Sequence, residues 1–328
     1  MRTVFELGLN HLGDLSRAKR MVGTLAAQGA ESMTIQVIVE PARFTRVADA
    51  IRFLEKNALT LEDNLAAIRH AVSLGIKAGA TVVEPDHIPP LFDAGARFFK
   101  ILSADFTYDP LRRRAAATGL PVYVSTGASD MADIGRAVAL MRTESASSDV
   151  RLIHTVLSVP TPAALLNLRC IPVMASAFQT PVAYGQHSAD RQAMLTAVAA
   201  GAESLFVYVA EERVEKLPDG PHAVLCSEAG ELLRQVHLVE TMLGSTGPKG
   251  ISAEERVVQP EVRRSIVAAR AIAAGTRIAP NDIAFKRPAS GLAPEALHQV
   301  LGLVADRDYH PDDDLVCGAP ATPGGFTQ

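Results

Sequence analysis

Glu6, Lys100 and His187 are far apart in the chain, yet each stands where a short apolar run gives way to polar residues. Glu6 leads into Asn10-His11, and Gln36 closes the run that starts at Ser32. Lys100 is followed by Ser103 and Asp105, another run ends in Ser125-Thr126-Gly127, and a third ends at His154. Tyr184-Gly185-Gln186-His187-Ser188 repeats the pattern. A lysine inside a concave site is poorly solvated unless an anion meets it, and a phosphate or carboxylate is the economical partner. Ser125-Thr126-Gly127, ahead of a helix beginning near Asp130, fits an anion cradle of hydroxyls and backbone N–H groups. The ordinary alternative is a helix N-cap at Ser129 or Asp130. His187 could ligate a divalent metal with Glu6, Gln36 or His222 as helpers. His154 reads more readily as a hydrogen-bonded core histidine than as a ligand.

Something must bring these residues to one place. Helix-like segments end in glycine, often followed by alanine, and then a short β-prone run begins. The instances are Gln28-Gly29-Ala30, Ala78-Gly79-Ala80, Ala94-Gly95-Ala96, Thr118-Gly119-Leu120 and Ala200-Gly201-Ala202. Glycine just past a helix end takes the left-handed conformation without a Cβ penalty. The runs at 4–7, 32–37, 81–83, 98–101, 122–125, 152–156, 182–184 and 204–209 are too short for helices and read as buried strands. Helical segments are expected at 15–28, 61–74, 109–118, 130–141, 191–200 and 228–242. Eight strand–helix units at even spacing predict an α/β fold, a (β/α)8 TIM barrel over residues 1–243, with a doubly wound sheet as the alternative. Barrels carry their sites at the C-terminal strand ends, where the polar residues above cluster.

The sequence changes character near Leu243. Gly- and Pro-rich punctuation and a charged stretch predict a linker at 244–262. A small module follows at 263–318, with a strand at 265–269 and a short helix at 294–301, and then a disordered tail at 319–328. The 328 residues hold 48% hydrophobic and 21% charged side chains, enough for a sizeable core. Thirty-two Lys and Arg against 36 Asp and Glu give a net charge of −4, which excludes nucleic-acid binding by bulk charge. Cys170, Cys226 and Cys317 form no Cys-x-x-Cys pair, so neither a disulfide scaffold nor a structural zinc site is expected. No signal peptide or membrane span is readable, and the expected location is the cytoplasm.

The motifs, in this order, resemble those of the sialic acid synthase family, which includes spore-coat polysaccharide, legionaminic and pseudaminic acid synthases. Glu6-Leu7-Gly8-Leu9-Asn10-His11-Leu12-Gly13 is similar to the family's E-x-G-x-N-H-x-G, and Lys100-Ile101-Leu102-Ser103 to its K-I-x-S. Ser125-Thr126-Gly127 matches S-T-G, and Asn167-Leu168 and Tyr184-Gly185-Gln186-His187-Ser188 resemble N-L and Y-S-D-H-T. Arg263-Arg264-Ser265-Ile266-Val267-Ala268 and Lys286-Arg287-Pro288 resemble signatures of the antifreeze-like SAF domain. The resemblance implies condensation of phosphoenolpyruvate with N-acetylmannosamine or a related aminosugar, giving a 3-deoxy-2-keto sugar acid for surface polysaccharide. It implies that Lys100, Ser103, Ser125 and Thr126 hold phosphoenolpyruvate, and that Glu6 and His187 are catalytic. Asn10, Gln36, Asn167, Tyr184 and Arg287 would contact the sugar, and His187 would ligate Mn2+ or Mg2+. It also implies a domain-swapped homodimer in which each SAF module caps the partner's barrel.

Some positions depart from the pattern. The family's E-K-H-F strand reads Phe206-Val207-Tyr208-Val209, so Tyr208 replaces the second metal-ligating histidine. Thr34 stands for a lysine, Gly185-Gln186 for Ser-Asp, and Gly220-Pro221-His222 lacks the acid of G-P-D-H. Besides an active synthase, two readings follow: a degenerate paralogue that binds without turnover, and a barrel lyase or aldolase with Lys100 as a Schiff base.

Overall fold

A computed structural model of the protein describes residues 2–144, 149–213, 216–244 and 247–316. The chain divides into two compact units, Met1–Gly244 and Ser245–Gln328. In the first, eight strands run in chain order: β1 (Arg2–Glu6), β2 (Ser32–Val37), β3 (Lys77–Val82), β4 (Phe99–Ile101), β5 (Val122–Ser125), β6 (Val150–His154), β7 (Val182–Gly185) and β8 (Ser204–Ala210). Each pairs in parallel with the next, and β1 pairs with β8 through Glu6 opposite Tyr208, closing a TIM barrel. A short strand β9 (Val224–Leu225) extends β8 outside the ring.

The five glycine punctuators divide unequally. Gly29, Gly95, Gly119 and Gly201 have positive φ between a helix and a strand. Ala78-Gly79-Ala80 instead lies inside β3, and the helix before it ends at Ser73 with Gly75 turning the chain. Gly79 is there for space: a Cβ on it would lie 2.2 Å from the Phe98 ring. Three small residues therefore disguised the first half of a buried strand as a turn.

Alternation along the strands builds the lumen in layers. Val4, Phe98, Tyr123, Ile153, Ala183 and Phe206 form one buried cluster, the floor. Its rings meet edge-on, Phe98 to Tyr123 at 5.7 Å and Tyr123 to Phe206 at 4.8 Å between centroids, the geometry aromatic quadrupoles favour. Beneath it Arg151 packs 5.6 Å from the Tyr123 ring and pairs with Asp149 and Glu203. The opposite faces of the strands join the helices in a larger apolar layer containing Phe5, Met33, Phe99 and Tyr184.

In the second unit, β10 (Ser265–Ala268) pairs antiparallel with β11 (Ile283–Lys286). Ile266, Ile272, Ile278, Val300, Tyr309 and Leu315 belong to its small core. The expected linker is not all linker. Residues Ala253–Val262 are helical, started by a reciprocal capping box in which Ser252 Oγ accepts from Glu255 N at 3.1 Å and Ser252 N donates to the Glu255 carboxylate at 2.9 Å. The Ser-x-x-Glu signal was legible at 252–255, but the flanking glycines and prolines masked it. The expected tail at 319–328 and Cys317 lie outside the described residues. None of the described helices is long and apolar enough to cross a membrane.

Candidate active site

Two residues beyond each member of the floor cluster, in or just beyond the strand, the chain presents its next inward side chain or, at Gly185, bare backbone. Val4 is followed in this way by Glu6, Phe98 by Lys100, Tyr123 by Ser125, Ile153 by Thr155, Ala183 by Gly185 and Phe206 by Tyr208. All six line one cavity of about 360 Å³ at the C-terminal end of the barrel, together with Gln36, Ser103, His187 and Asp219. Leu9, Phe53, Leu102 and Leu157 give it apolar sides.

Lys100 donates from Nζ to Glu6 Oε1, and both side chains are about 95% buried. The ammonium also lies 5.3 Å and 5.5 Å from the ring centroids of Phe206 and Tyr208, within cation–π range. The second Glu6 oxygen, Oε2, has no hydrogen-bond partner among the described residues. Asp219 sits opposite, its Oδ2 3.5 Å from Leu9 N, and burial raises its carboxyl to about 6. Gly8, at φ +53°, leaves no room for a side chain here, because a Cβ would meet Asp219 Oδ2 at 2.4 Å and the Tyr208 ring at 2.9 Å.

His187 Nδ1 is 2.9 Å from the Val156 carbonyl and 3.1 Å from Thr155 Oγ1. A carbonyl only accepts, so Nδ1 carries the proton and Nε2 keeps its lone pair. Burial lowers the His187 pKa and holds the ring neutral. Tyr208 stacks on this ring at 5.8 Å, and His222 meets both edge-on, at 5.5 Å from His187 and 5.1 Å from Tyr208. Burial, reinforced by Glu6 and Asp219, raises the Tyr208 phenol far above its usual range.

The expected site residues separate by placement. Glu6, Gln36, Lys100, Ser103, Ser125 and His187 share the cavity. Ser103 also ties two loops together, its Oγ accepting from Gly127 N at 3.0 Å. Thr126 is turned away: its hydroxyl donates to Ile153 O at 3.0 Å, and it lines a neighbouring hollow with His154. Asn10 is fully buried as a brace, donating to Val209 O at 2.7 Å and accepting from Asp219 N at 3.0 Å. Tyr184 packs with the helices on the outer side of β7, because alternation gives the lumen to Ala183 and Gly185. Asn167 is exposed, donating to Cys170 Sγ at 3.1 Å, and Arg287 is exposed in the second unit. His154 Nε2 donates to Leu166 O at 2.8 Å, as the core reading had it. Asp219 was missed: the acid sought between Pro221 and His222 stands one residue before Gly220.

A family model described as the NeuB family matches residues 32–247, about two thirds of the sequence, and a SAF domain model matches residues 263–313. The chain belongs to the NeuB family. It is 32% identical over 310 residues to the uncharacterized protein MJ1065 of Methanocaldococcus jannaschii, covering 94% of this chain and 91% of the relative. It is 27% identical to the N,N'-diacetyllegionaminic acid synthase of Legionella pneumophila, covering 91% of this chain and 88% of that enzyme. The solved N-acetylneuraminic acid synthetase of Leptospira borgpetersenii, in complex with citrate, superposes with a TM-score of 0.74 at 26% identity, over 78% of this chain and 88% of that one.

A divalent ion needs donors this NeuB-family chain supplies sparingly. His187 Nε2 is available, but Tyr208 brings a protonated phenol where the second imidazole was expected. Among the described residues no three His, Cys, Asp or Glu side chains converge to hold a metal. These residues do not fit a tightly held Mn2+ or Mg2+.

Proposed function

We propose that this protein is a phosphoenolpyruvate-dependent synthase that extends an acylated aminosugar, N-acetylmannosamine or a relative, to a 3-deoxy-2-keto sugar acid. The observation that carries the reading is the buried Lys100 beside Ser103 and Ser125, at the mouth of a barrel shared with named sugar-acid synthases. In this reading Lys100 and the two hydroxyls neutralise the anionic donor, and Glu6 exchanges its hold on Lys100 for contact with the reacting sugar. The methylene carbon of phosphoenolpyruvate bonds to the aldehyde carbon, water adds to the cationic carbon left behind, and phosphate departs. The apolar sides at Phe53 and Leu157 suit the acyl group. Arg287 from a partner's SAF module would close the site, in a swapped dimer of cytoplasmic chains.

Tyr208 favours a second reading, a relative that binds the donor without turning it over. One experiment separates the two. With N-acetylmannosamine and diacetylated hexosamines, with and without Mn2+, a synthase releases phosphate from phosphoenolpyruvate only when the sugar is present. Calorimetric binding of phosphoenolpyruvate with no phosphate across the panel establishes the binder. Tyr208→His adds the second imidazole, and calorimetry should show Mn2+ affinity rising on the order of tenfold or more. An unchanged affinity would mean that His187 Nε2 does not face the added ring.

A further inference from the structure

Outside the barrel mouth lies a second cavity, of about 720 Å³, twice the volume of the first. It opens between the loop after β7, the end of β8 and strand β9, and Gln186, Arg191, Met194, Arg213, His222 and Leu225 are among its lining residues. It shares no lining residue with the candidate active site. Two of its polar walls are incomplete. Gln186 is 1% exposed, and its Nε2 donates to Ser188 O, yet its Oε1 has no partner among the described residues. His222 is 5% exposed, and neither ring nitrogen has a partner there. The nearest acid, Asp219 Oδ1, is 4.0 Å from Nε2, beyond hydrogen-bond range. Buried polar groups are rarely left in this condition, since each unmade bond forfeits the hydration the group had in water.

The charge at the rim is also unbalanced. Arg191 and Arg213, of the lining, both pair with the single carboxylate of Glu228, which lies outside it, and Glu212, the one acid of the lining, pairs with Arg17 at 3.2 Å. Two guanidiniums against one carboxylate leave one positive charge. We propose that this cavity is a binding site for a small hydroxylated monocarboxylate of the sugar-acid class. A carboxylate answers the surplus guanidinium charge. Once a small turn of these buried side chains brings their polar atoms to the cavity surface, hydroxyls can donate to Gln186 Oε1 and can both donate to and accept from a neutral imidazole. The volume lies within the ~300–1,000 Å³ typical of small-molecule sites. The choice of a nonulosonic acid as first probe rests on the synthase reading; the site itself does not.

The position of His222 gives such a ligand a consequence. Its ring forms the partition between the cavities, edge-on to His187 and Tyr208 on the other side. A ligand that fixes the His222 tautomer and tilt thereby orders two walls of the candidate active site, so a product-like acid here reaches the chemistry without entering the barrel.

The test is calorimetric titration of the full-length protein with N-acetylneuraminate and, separately, D-gluconate. The expected result is binding of at least one acid that survives saturation with phosphoenolpyruvate and weakens on the order of tenfold in Arg213→Ala, an exposed substitution that leaves the core intact. N-acetylneuraminate alone points to feedback by a product-like acid, and both acids to a general sugar-acid site. Absence of binding by both at millimolar concentration, displacement by phosphoenolpyruvate, or indifference to Arg213→Ala would each overturn the proposal. If phosphoenolpyruvate itself fails to bind, the synthase reading falls while the Arg213 comparison still stands.

Discussion

Lys100→Met should destabilise the barrel by about 3–5 kcal/mol, because it strands the Glu6 carboxylate in a lumen with no other cation among the described lining residues. Thermal unfolding should shift by roughly 10 °C for a unit of this size. The double variant Glu6→Gln/Lys100→Met should recover most of that loss, since neutral groups of similar shape need no counter-charge. Phosphoenolpyruvate binding should be absent from both, because the cationic wall is gone either way. The pattern separates two roles. A purely structural ion pair would lose stability in the single variant while ligand binding survived in the double. A single variant as stable as the parent would mean that water reaches the pair and that the cavity is far less dry than its burial indicates.

A second large effect belongs to Asp105, on the single 3-10 turn that follows Lys100. Its side chain is buried, its Oδ2 has no partner among the described residues, and Glu84 is near. Burial first, then Glu84, raises its carboxyl to about 7. The folded state therefore holds this proton more tightly than the unfolded chain, whose aspartates titrate near 3.9. The sign follows: the stability this group confers is complete below pH ~4 and is lost as pH rises through about 7, a swing of up to about 4 kcal/mol. Asp105→Asn, neutral at every pH, should match the parent near pH ~4 and exceed it by about 2–4 kcal/mol near pH ~8. His11 and His222, both lowered to about 4 by burial, work in the opposite direction, gaining stability as pH rises from about 4 to 6.5. They are present in both proteins and drop out of the difference. Urea unfolding at the two pH values measures it; an equal gain at both would assign the effect to packing rather than to charge.

The barrel was legible because its grammar is local. A glycine past a helix and a run too short to be helical are each decided within a few residues, and four of the five glycine signals fell at the expected junctions. Gly79 misled because a glycine that makes room for Phe98 looks the same in sequence as one that turns the chain. The inward placement of four candidate residues was legible at strand ends: Glu6, Gln36 and Lys100 stand between apolar neighbours, Ser125 follows Val124, and all four line one cavity. Tyr184 shows the limit. A tyrosine next to Gly185-Gln186-His187 invites a ligand, but its side follows from the phase of β7, and nothing in Val182-Ala183-Tyr184 declares which neighbour owns the lumen. Asn10 is a different case, since its partners Val209 and Asp219 are some two hundred residues away and only closure of the barrel unites them.

The aromatic floor, with Arg151 braced beneath it, closes the lumen on that side among the described residues, so the cavity at the other end is where molecules enter and leave. Any molecule resting against Lys100 must arrive before whatever lodges between Phe53 and Leu157, and must leave after it. Two guests in such a blind alley bind in sequence, and kinetics with the outer one held in excess should show the inner one trapped.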